Sequence, residues 1–220
     1  MKKLALIVSL FLCACAHTPV PFDLPAEAQS ISIPVEDLRP ESEKNDEIFS
    51  LLVTSSQYGI YRKGDKTLSP PITDIFRWMV FERLGETEKN LKISVYHMVV
   101  YMNMKSMLRR QAFAFPIGGA IGVIIAGNTV ASTVNISQSL VDREQFEHSS
   151  KTEAHRAFYS EEENPGNAPI FVIYIDAAVK DKRVFIKTIA PLSAPDGQYP
   201  LALAVEGAIQ YWLDQYSSTK

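Results

Sequence analysis

A chain of 220 residues, 46% hydrophobic and 21% charged, can bury a core of its own and suits one globular domain with a tail. Its formal charge is −3, and without Lys2 and Lys3 it becomes −5, from 20 basic and 25 acidic residues, so no dominant basic field favours nucleic acid. Both cysteines, Cys13 and Cys15, stand at the start, which removes disulfides, thiolate metal sites and cysteine nucleophiles from everything after residue 15.

Lys2 and Lys3 open the chain, and Leu4 to Leu12 form an apolar run broken by Ser9. That run is too short to span a hydrocarbon layer of about 30 Å and has the shape of a signal peptide. Leu12-Cys13-Ala14-Cys15 resembles the lipobox of bacterial lipoproteins, with a leucine three before the cysteine and a small residue directly before it. The resemblance implies a signal peptide over residues 1–14 and cleavage before Cys15. It further implies a diacylglyceryl thioether on Cys15 and an acylated new amino terminus. The covalent lipid is then the membrane anchor, and no other cofactor is expected. Ala16, where an aspartate would favour inner-membrane retention in that family, implies the outer membrane, with the domain on its periplasmic face. The competing reading is an ordinary secretory signal with incidental cysteines. Residues 15–29, with three prolines and no periodicity, read as a lipidated tether.

A single domain is expected over residues 30–216. Ile31, Ile33 and Val35 alternate with polar residues in a strand, and Pro34 directs it to an edge or a bulge. A polar loop follows from Glu41 to Glu47, then a short apolar run at Ile48–Val53 and a Gly64-Asp65 turn. Ser69-Pro70-Pro71 and Gly85 bracket a helix whose apolar face carries Ile72, Ile75, Phe76, Met79 and Val80. Trp78 and Phe81 fall on its other side, covered by a loop or part of an interaction surface.

Leu91–Asn103, apolar on both faces, reads as a central strand covered on both sides, or as one with a side packed in an assembly. Strict alternation groups Ile93, Val95, His97, Val99 and Tyr101 on one face, with Tyr96, Met98, Val100 and Met102 on the other. His97 is expected to be a satisfied core or edge residue. A weaker strand, with Val134, Ile136 and Leu140 in step, ends at Val141, and residues 142–167 form a polar loop with one helical turn. His148 and His155 in that loop read as surface residues. Ile170–Val179 and Arg183–Ile189 form a hairpin. The last helix starts near Pro200 with Leu201, Ala204, Val205, Ala208, Ile209 and Trp212 on its apolar face, and Asp214 onward reads as a frayed end.

This order gives an α+β two-layer sandwich: a mostly antiparallel sheet with two amphipathic helices on one face, plus a glycine-rich apolar insert at about 111–129. The insert belongs to an uncharged stretch of 31 residues between Arg110 and Asp142. Gly118, Gly122 and Ala126 recur every four residues, a spacing that allows helix backbones to approach closely. It reads as a buried loop over the sheet, a subunit contact in a ring, or a segment entering the bilayer. Pro116 and the short length weigh against the last.

No Gly-x-Ser-x-Gly elbow, phosphate loop or His-Glu-x-x-His occurs, so no catalytic or metal residue is assigned. Asp37 and Arg39 read as a strand-end ion pair, with a ligand site as the alternative. The lipobox, the Ile31-x-Ile33-x-Val35-Glu36-Asp37-Leu38-Arg39 strand and Tyr58-Gly59-Ile60-Tyr61-Arg62 resemble the YajG-like outer-membrane lipoproteins. The likeness covers roughly residues 12–103 and 170–216. It implies a βαββα-type domain without known enzymatic activity. The insert alone is similar to TraT-like surface-exclusion proteins, which form rings. The expected role is therefore non-enzymatic: membrane attachment through the lipid, and binding of a protein partner or of a second copy.

Overall fold

The computed structural model describes residues 18–52, 55–85, 90–104, 137–148, 153–160, 162–164 and 168–218. Cys15, Gly118 and Gly122, and with them the expectations for the leader and the insert, lie outside these residues.

The central strand β6 (Ile93–Asn103) organises a seven-stranded sheet. Its whole length pairs antiparallel with β8 (Ile170–Val179), which continues through a tight hairpin into β9 (Lys182–Pro191). The short strand β7 (Ser137–Leu140) closes that side. The opposite edge of β6 is shared by two strands. β4 (Ser55–Lys63) runs antiparallel to residues 100–103, and β2 (Val35–Asp37) runs parallel to residues 93–95. β3 (Glu47–Leu52) pairs with β4 as the outermost strand. The sheet is thus mostly antiparallel, as expected.

Two helices cover one face. α1 (Ile72–Leu84) starts after Pro71 and ends at Gly85, whose N–H donates to the Phe81 carbonyl. α3 (Pro200–Ser218) lies beside it, and Arg83 of α1 reaches Asp214 of α3. The expected apolar stripes of both helices enter the main core with Val95, Met98, Val100, Ile173, Ile175 and Ile186 from the sheet. At its centre Trp212 is fully enclosed, edge-on to Phe76 at 5.0 Å, with its indole N–H donating to the Val184 carbonyl. Burying such a side chain stabilises the fold by about 3 kcal/mol. No helix among the described residues is long and apolar enough to cross a membrane.

The other face is closed by a thinner layer. α2 (Arg143–His148) and a 3-10 turn at Glu153–Ala157 place Phe146 and Ala157 over Val99, Tyr101, Val172, Tyr174 and Phe185. β6 feeds both cores, and its pairing with β8 slips between Val95 and His97. This bulge corrects the simple alternation. Ile93 and Val95 lie with Met98 and Val100 under the helices, while Val99 and Tyr101 belong to the second core.

Three further differences follow from tertiary partners. Val20–Pro21, within the expected tether, forms β1, parallel to β5 (Leu68–Ser69), and Phe22 N–H donates to the Ser69 carbonyl. Val20 and Phe22 pack on the main core, and Ala28 is buried, so this stretch gains apolar contacts that a lone tether lacks. The last helix continues to Ser218 rather than fraying at Asp214, because Leu213 and Tyr216 are buried and Tyr216 stacks on Trp212. Leu140 is exposed at the sheet edge instead of facing a core.

Candidate functional site

Polar chemistry concentrates where β2, the loop after it and the thin layer meet β6. Arg39 is buried at the end of β2, and its guanidinium is saturated. Nε and Nη2 donate to the two oxygens of Asp37 at 2.9 Å, Nη1 and Nη2 donate to those of Asp65 at 2.8 Å, and Nη1 also faces the Met98 carbonyl. Partial burial alone would raise the Asp37 carboxyl, but the hydrogen bonds and charge of Arg39 outweigh it and hold that group below the usual range. The cleft beside Asp65 measures about 10 Å³, room for one water at most. With its donors engaged, Arg39 ties the end of β2 to the turn at Asp65–Thr67 rather than presenting a guanidinium to a ligand.

The bulge in β6 turns His97 towards the second face, where its Nδ1 lies 2.7 Å from Oε1 of Glu43. Glu43 sits in the 3-10 turn at Glu41–Lys44, within the stretch expected to be a polar loop, yet its side chain is only 1% exposed. Its other oxygen accepts from Met98 N–H, and Arg156 approaches at 3.7 Å. Arg156 also lies over the Phe146 ring at 4.0 Å, and the His97 ring is edge-on to Phe146. Beside His97 on β8, Asp176 is held by Arg183 through two hydrogen bonds, and Arg183 stacks on Tyr96. Further along β6, buried Arg62 of the neighbouring β4 joins Glu47 and Glu153, and the Tyr101 hydroxyl donates to Glu153. Burial and the neighbouring Glu153 carboxylate push the Tyr101 hydroxyl well above its ordinary value, so it stays a donor.

This network links three cover segments to the sheet: the turn at 41–44, α2 and the turn at 153–157. None of Glu43, Glu153 or Asp176 stands out in the sequence, and Arg62 does so only as part of a short motif, since each depends on partners distant in the chain. Among the described residues no three His, Cys, Asp or Glu side chains converge as a metal site. His155 packs edge-on to Phe158.

Trp78 and Phe81 come together on the outer side of α1, with ring centroids 6.1 Å apart. Trp78 is half-buried and Phe81 is 40% exposed. Phe81 and Gly85 form one wall of an open groove of about 470 Å³, and Ile33, Pro34, Leu91 and Lys92 form the other. The groove joins Phe81 of the aromatic pair to Ile33 and Pro34, which were expected in a strand from Ile31 but precede it, since the strand pairs with β6 only over Val35–Asp37.

No protein-family model matches the chain, and no curated protein or solved structure matches it either.

Proposed function

We propose that this chain is a bacterial outer-membrane lipoprotein, cut before Cys15 and anchored by acyl chains on that residue. In this reading its domain faces the periplasm and works without catalysis, by binding a protein partner or a second copy. The observation that carries the reading is Leu12-Cys13-Ala14-Cys15 directly behind a lysine-led apolar run. The resemblance to YajG-like lipoproteins belongs to the same proposal. Each buried methylene contributes about 0.8 kcal/mol, so two or three acyl chains hold the protein firmly where one would not.

Partner binding draws support from Trp78 and Phe81, an aromatic pair of the kind that concentrates energy in protein interfaces, set beside the groove at Ile33–Pro34. The test has two parts. Intact mass of protein extracted from envelopes should show added acyl mass, and Cys15→Ser should lose both that mass and its partition with the membrane. Crosslinking in intact cells should capture a partner or a dimer, and Phe81→Ser should remove the product while leaving the fold intact. An unacylated mature protein overturns the anchor; crosslinks indifferent to Phe81→Ser overturn the interaction surface.

A further inference from the structure

The docking of β1 has a consequence for how an anchored molecule meets the bilayer. Val20 is fixed to the body by pairing with Leu68 and by packing on the main core, and Cys15 is five residues earlier. Five residues span at most about 18 Å even when fully extended, close to the radius of the domain itself. A lipid on Cys15 therefore cannot suspend the domain freely. It brings the surface around β1 to the headgroups, which occupy about 5–7 Å on each side of the hydrocarbon.

That surface is not a generic charged one. Immediately after Val20, Pro21 and Phe22 form one side of an open groove of about 300 Å³, and Tyr199, Ala202 and Leu203 at the start of α3 form the other. Tyr199 is 51% and Leu203 37% exposed, two of the larger apolar side chains that the described fold leaves in solvent. Tyrosine with a neighbouring aliphatic suits a membrane interface, where one end of the ring is wet and the body is not. Asp23 and Glu206 on the same groove match the ammonium of a zwitterionic headgroup rather than a densely anionic surface.

We propose that the groove between Pro21–Asp23 and the first turns of α3 is the membrane-facing surface of the domain, with Tyr199 and Leu203 entering the headgroup layer of zwitterionic lipid. This rests on acylation at Cys15, and the experiment separates the two. The mature chain carries no cysteine besides Cys15, so Tyr199→Cys, Leu203→Cys and, on the far sheet edge, Leu140→Cys each offer a single labelling thiol. Each acylated variant, carrying an environment-sensitive dye, is reconstituted into phosphatidylethanolamine–phosphatidylcholine vesicles, with and without lipids bearing a headgroup-level spin quencher. Dye at 199 and 203 should shift to the blue and lose at least half of its emission to the quencher, while dye at 140 keeps its emission. If acylated protein floats with the vesicles but all three sites respond alike, this surface assignment falls and the anchor stands. If mass measurement finds no acyl chain, both fall. A blue shift at 199 and 203 that grows with protein concentration without vesicles gives the surface to a second copy and overturns the proposal.

Discussion

Glu43 and His97 meet at 2.7 Å although they lie 54 residues apart, one in a charged loop and the other beyond a bulge in the central strand. The carboxylate is enclosed, and it also accepts the Met98 N–H, on the stretch of β6 between the residues paired with β2 and those paired with β4. Removing the side chain leaves that buried donor without a partner, which costs more than a typical hydrogen bond contributes. Glu43→Ala should lower unfolding stability by about 2–3 kcal/mol, and Glu43→Gln by less. The check is a shift in the urea midpoint at unchanged slope; a change within error would remove the pair from the stabilising network.

Arg39 should be intolerant of a shorter cation. Lysine offers one point charge where two carboxylates need a planar fork, so Arg39→Lys should lose most of what Arg39→Ala loses, about 3 kcal/mol. The same clasp sets an acid limit. The Asp37 carboxyl is held below its unfolded value near 3.9, so its contribution is complete above about pH 4 and disappears as pH falls through the lower folded value. Asp37→Asn should make the acid limb of the stability profile shallower and leave its alkaline limb unchanged.

Thr188 offers a gain. Its side chain is buried on β9, on the helix-covered face, and its hydroxyl has no hydrogen-bond partner among the described residues. Thr188→Val keeps the shape and removes the desolvated hydroxyl, so stability should rise by about 1 kcal/mol. A fall in thermal midpoint would show that the hydroxyl is satisfied.

The end of α3 should matter despite its polar sequence. Tyr216 stacks on Trp212 at 5.4 Å, and Lys182 donates to its carbonyl. Tyr216→Ala should cost about 2–4 kcal/mol, whereas Ser218→Ala should cost almost nothing. Equal effects on the denaturation midpoint would restore the frayed end.

Much of the architecture is legible in the sequence. The stripes of α1 and α3 and the hairpin of β8 and β9 are written in periods of 3.6 and 2, which a chain shows to any reader. The site was less legible. Proximity along the chain pairs Arg39 with Asp37, but not with Asp65, because 26 residues separate the two. Helical phase singles out Trp78 and Phe81, but the groove at Phe81 needs Ile33 from a segment far along the chain.

Local pattern thus determined the identity of the main elements and which side of each helix turns inward, since those follow from the spacing of apolar residues along one segment. Tertiary structure alone decided where the alternation of β6 breaks, why Glu43 is enclosed, and that residues 20–22 join the body. Each of these depends on a partner strand or an opposite charge brought near by the fold, and a linear string holds no record of such distances.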